Sequence, residues 1–125
     1  MISQPANGQA VNETYALLRR AAARRQPVAA VYDDLPRLLC PHVLGRKGGR
    51  FPALVYQIGG RSNSGPPVAL SEPGVWRCLA VEKLSQVELR ADAWRSGPRS
   101  SGQTCIDEID FDVDAQPGDS PQKGQ

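Results

Sequence analysis

Aromatic residues are scarce: two Trp, three Tyr and two Phe make up 6% of the 125-residue chain. A core so poor in rings must be modest and mainly aliphatic. No run of 18 apolar residues occurs, which excludes a membrane-spanning helix. The start, MISQPANGQ, lacks the basic-then-apolar order of a secretory signal, so the expected location is cytoplasmic. There are only three cysteines, an odd number that makes no disulfide framework; Cys40, Cys78 and Cys105 are expected to be reduced and free of metal. His42 is the only histidine, and Cys40-x-His42 is the only pair at zinc-ligand spacing, where structural zinc sites need two such pairs. Cys40 therefore reads as a small buried hydrophobe, and neither metal nor cofactor is expected. Phosphate loops, nucleophile elbows and dinucleotide fingerprints are also missing, as is any nucleophile–base pair. The chain reads as a non-enzyme.

What the chain does have is glycine, proline and unevenly placed charge. Eleven prolines and twelve glycines point to many turns and short strands in one domain, the size expected for a chain of this length. Residues 1–103 carry 14 Lys/Arg against 7 Asp/Glu, a net of +7, and residues 104–125 carry one Lys against six acids, a net of −5; together they give the overall +2. A basic body suits an anionic partner such as nucleic acid or a nucleotide, although a solvated surface with an acidic tail has the same composition. The turn GRKGGR (45–50) offers three cations and backbone amides that could hold a phosphate.

Periodicity predicts a helix over 12–25, with Val11, Tyr15, Leu18 and Ala22 recurring at steps of four, three and four, Asn12 as N-cap and Pro27 as terminator. Short strands are expected at 27–32, 37–45, 51–58 and 75–81. Pro41 requires an edge or a bulge in the second, and 82–90 fits a short strand or a helical turn. The stretch 59–74, rich in Gly, Pro and Ser, reads as a long loop. In TCIDEIDFDVD (104–114), Ile109, Phe111 and Val113 alternate with Asp110, Asp112 and Asp114, which predicts a strand with the apolar set buried and the acids in water. Residues 1–9 and 115–125 are expected to be disordered. The fold class is α+β, a helix followed by five to six mainly antiparallel strands.

Three stretches in order carry a family resemblance: RLLCP (37–41), GGRFPALVY (48–56) and RCLAVEKL (77–84). Together they resemble the WYL domains of bacterial transcriptional regulators over about residues 14–90, with Phe51-Pro52-Ala53 where the name-giving Trp-Tyr-Leu would stand and Ala80 where the family has an arginine. The resemblance implies a stand-alone WYL-like domain over 10–114. Its barrel would be small and SH3- or Sm-like over 27–90, with the acidic strand 104–114 an addition. It also implies a regulatory module that binds nucleic acid or a nucleotide-like anion in a basic groove. Arg37, Arg50, Arg77 and Lys83 would meet phosphates there, with Tyr32 and Tyr56 as stacking faces. The short stretch before the helix cannot hold a DNA-reading winged helix, so a lone ligand-binding module is expected. The alternative is a protein–protein interaction subunit of a larger complex. A homodimer is compatible with the sequence, which leaves the oligomeric state open.

Overall fold

A computed structural model describes the backbone of residues 7–62, 65–68, 73–98 and 105–115. Helix α1 (Asn7–Arg24) is followed by β1 (Val28–Tyr32), β2 (Leu35–Arg46), β3 (Pro52–Ser62), β4 (Gly65–Val68), β5 (Val75–Ala80), a 3-10 turn (Val81–Lys83), β6 (Ser85–Leu89) and β7 (Glu108–Asp112). The fold is α+β. The strands form one antiparallel sheet in the order β4-β3-β2-β1-β6; β5 pairs with β3, and β7 pairs with β2. Among the described residues no ladder joins β5 to β6, so the sheet is open rather than a closed barrel.

The helix begins at Asn7, five residues before the expected cap, so residues 7–9 are helical rather than disordered. Residues 1–6 and 116–125, where disorder is also expected, lie outside the described residues. Leu18, Ala21 and Ala22 are buried, and Val11 and Tyr15 pack beside them, which is the stripe the periodicity predicts. The helix ends in a Schellman motif. Arg25 takes a left-handed φ of 52°, its N–H donates to the Ala22 carbonyl at 3.1 Å, and the Gln26 N–H donates to Ala21 at 2.8 Å. Pro27 then prevents continuation.

Both hairpins that frame the sheet have two-residue turns. Asp33 and Asp34, at φ 54° and 62°, join β1 to β2, with Tyr32 opposite Leu35. Gly48 and Gly49, at φ 57° and 78°, join β2 to β3 beneath a Lys47–Arg50 bridge. Both turns need left-handed backbone at the two central positions, which Gly takes without strain and Asp tolerates. Pro41 lies inside the long central β2, where the register against β3 shifts between Pro41 and Val43. On the other edge, β1 reaches only Leu39 and β7 begins at Val43, so the proline sits in a gap where a missing donor costs least.

Two expectations need correcting. The stretch 59–74 is not one loop: β3 runs on to Ser62 and pairs with β4. Gly59 and Gly60 instead accompany register shifts within these ladders. The alternation in β7 is also broken. Leu44 faces Phe111 while Gly45 faces Ile109, which leaves Asp110 as a bulge. Phe111 and Val113 are buried as expected, but the bulge turns Ile109 to the other face, where it is 53% exposed. Ile106 takes up the remaining buried position. The close approach of β7 requires Gly45, where any Cβ would collide with the Glu108 carbonyl. Nor does Asp110 face only water, because its carboxylate accepts from Tyr15 and Arg19 of the helix.

Candidate anion-binding cleft

The hairpin tip of β2–β3, the corner after β5 and the end of β1 enclose a cleft of about 490 Å³. Lys47 and Arg50 come from the tip, Lys83 from the 3-10 turn and Tyr32 from β1. No carboxylate lines the cleft among the described residues, and three cations border an open, partly apolar space. Tyr32 is held by its own hydroxyl, which accepts the Ala80 N–H at 3.1 Å and fixes the ring across the corner after β5.

Behind Tyr32 lies Arg37, 5% exposed. Its guanidinium stacks 5.0 Å from the Tyr32 ring centroid, donates to the Tyr32 carbonyl at 3.1 Å and lies 3.9 Å from Asp33. Among the described residues the Nε has no hydrogen-bond partner. Burial pushes the Arg37 pKa down, Asp33 opposes that shift, and the charge of Arg77 adds to it. Arg77, on β5, donates through Nε to Gln57 Oε1 at 3.4 Å.

Of the six residues singled out from sequence, Tyr32, Arg50 and Lys83 therefore meet in one cleft. Arg37 backs it from the interior, and Arg77 stands apart beside Gln57. Tyr56 does not line the cleft. It is 6% exposed within a separate cluster, its ring 4.8 Å from Trp76 and 6.3 Å from His42, and its hydroxyl accepts the Gly74 N–H. His42 is fully buried there, with Trp76 and Trp94 each at 4.7 Å. Its Nδ1 donates to the Cys40 carbonyl at 2.7 Å, and Nε2 lies 2.8 Å from the Ser96 hydroxyl. The Cys40 thiol is buried beside the same rings, and burial pushes its pKa up.

Sequence reasoning missed two features of the cleft. Lys47 was legible only as part of the GRKGGR turn. The second is the wall itself: Cys78 and Cys105 form a disulfide, so the expectation of three reduced cysteines is wrong for two of them. An odd count left one thiol over, and Cys40 is that one. No motif spacing could pair residues 27 apart whose meeting depends on where β7 docks.

A second cleft, of about 500 Å³, lies between the helix and β7. It sets Tyr15, Phe51 and Ile109 beside charges of both signs, Arg46 against Glu108 and Asp110. No helix among the described residues is long and apolar enough to cross a membrane. No family model matches the chain, and neither a curated protein nor a solved structure is significantly similar to it.

Proposed function

We propose that this protein is a non-enzymatic, WYL-like regulatory module that binds nucleic acid or a nucleotide-like anion in the Tyr32–Lys47–Arg50–Lys83 cleft. The observation that carries the reading is the convergence of three cations and a tyrosine ring on one cleft. Arginine's fork suits bidentate phosphate contact, and a tyrosine ring stacks on any base. Arg37 supports the site by stacking behind Tyr32 rather than by touching ligand.

The test is fluorescence anisotropy with labelled single-stranded DNA and RNA oligomers at several salt concentrations. Each phosphate contact should contribute about −0.7 to the log–log salt slope. Arg50→Gln and Lys83→Gln should weaken binding and flatten the slope, whereas Arg20→Gln, on the exposed face of the helix, should leave both unchanged. Equal losses for all three would mean a diffuse basic surface and defeat the cleft.

A second reading, a protein-interaction subunit, is favoured by one observation: Ile109 stands 53% exposed in the same cleft as Phe51. Apolar docking there would be insensitive to salt and lost in Ile109→Asp.

A further inference from the structure

The disulfide does not lie in the core. Cys78 is exposed and Cys105 half-buried, and both line the cleft that holds Lys47, Arg50 and Lys83. The third cysteine cannot serve as a resolving thiol, since Cys40 is fully buried in the separate aromatic cluster. The chain after Cys105 is held independently of the bridge. Ile106, Phe111 and Val113 are 4%, 6% and 2% exposed, the Asp107 N–H donates to the Arg46 carbonyl at 3.0 Å, and the Val113 N–H donates to His42 at 2.9 Å. Opening the bridge would therefore detach Cys105 from β5 at one side of the cleft and leave β7 in place.

We propose that Cys78–Cys105 is an exchangeable redox site, reached by small anionic thiols through the basic cleft, and that opening it weakens anion binding there. A thiolate attacks the exposed Cys78 sulfur, the sulfur–sulfur bond breaks, and Cys105 leaves as a thiolate. A second thiolate attacks the outer sulfur of the mixed disulfide, releasing the Cys78 thiolate and a small-molecule disulfide. Two electrons pass from two thiols to the protein. The three cations concentrate negatively charged thiols at the bridge and stabilise the departing thiolates. With the bridge intact, β5 and residue 105 are fixed to one another and the cleft is preorganised. With it open, an anion must order that wall as it binds.

The first measurement is the rate of bridge opening in the folded full chain, followed by alkylation and mass spectrometry, with negatively charged glutathione and positively charged cysteamine at equal thiolate concentration. Glutathione should react several-fold faster. The ratio should collapse towards one in molar salt, where screening shortens to about 3 Å, and in Arg50→Gln/Lys83→Gln. Equal rates in the wild type, or opening only after denaturation, would overturn the redox site. The second measurement is calorimetric titration with inorganic pyrophosphate of the oxidised chain, the reduced chain and Cys78→Ser/Cys105→Ser, with circular dichroism confirming that each is folded. Several-fold weaker binding by the two unbridged forms is expected; equal affinity overturns the gate. This half rests on the anion-binding reading. Absence of pyrophosphate binding by the oxidised chain defeats that reading together with the gate, and the glutathione-to-cysteamine ratio then decides the redox site alone.

Discussion

The Tyr15 hydroxyl donates to the Asp110 carboxylate at 2.8 Å, joining the helix to the bulge of β7 across 95 residues of sequence. Arg19 Nε donates to the same oxygen at 3.0 Å. The Tyr15 hydrogen bond, followed by that from Arg19, holds the Asp110 carboxyl below its ordinary pKa against an opposing contribution from burial. A carboxyl whose pKa is depressed by folding contributes stability that is present above its unfolded value, near 3.9, and lost as pH falls through the folded value. Stability should therefore fall from about pH 5 downward, and Asp110→Asn should flatten that part of the curve. With half the pair's surface in solvent the effect should be about 1 kcal/mol or less. Urea denaturation of both proteins between pH 3 and 7 measures it, and identical pH profiles would contradict the assignment.

Phe111 and Ile109 separate the observed bulge from a regular strand. Phe111→Ala should destabilise by about 3–5 kcal/mol, because the ring is buried in the main core. Ile109→Ala should cost no more than about 0.5 kcal/mol, because the side chain is half in solvent. Comparable losses at the two positions would mean that the alternation continues unbroken.

Opening the disulfide should lower stability by about 2–4 kcal/mol, since the bridge closes a loop spanning 27 residues. Chemical denaturation of Cys78→Ser/Cys105→Ser gives the figure. The variant should still unfold in one cooperative transition, because the apolar anchors of β7 remain.

The Asp33–Asp34 turn is improvable. Asp34 holds a left-handed φ of 62°, which glycine adopts freely, so Asp34→Gly should stabilise by a few tenths to about 1 kcal/mol. A loss of stability in thermal melts would mean that the Asp34 side chain contributes more to this turn than its backbone strain costs.

The helix stripe, the Gly48–Gly49 turn and the positions of β1, β2, β5 and β7 were legible in the sequence, whereas β4 was not. Each depends on neighbours within one turn or one ladder, so Leu18 and Ala22, or Gly48 and Gly49, carry the information locally. The basic character of the GRKGGR turn was visible for the same reason. Arg37 and Tyr56 were equally visible as residue types, but nothing local says that one backs the cleft and the other is packed beside His42 and Trp76. The face of Ile109 and the pairing of Cys78 with Cys105 required tertiary structure. Both follow from how β7 docks on β2 across more than sixty residues: one inserted residue at Asp110 reverses a face, and the docked chain carries Cys105 to β5. Sequence periodicity records which residues share a side only while the ladder is regular, and a bulge is set by the partner strand.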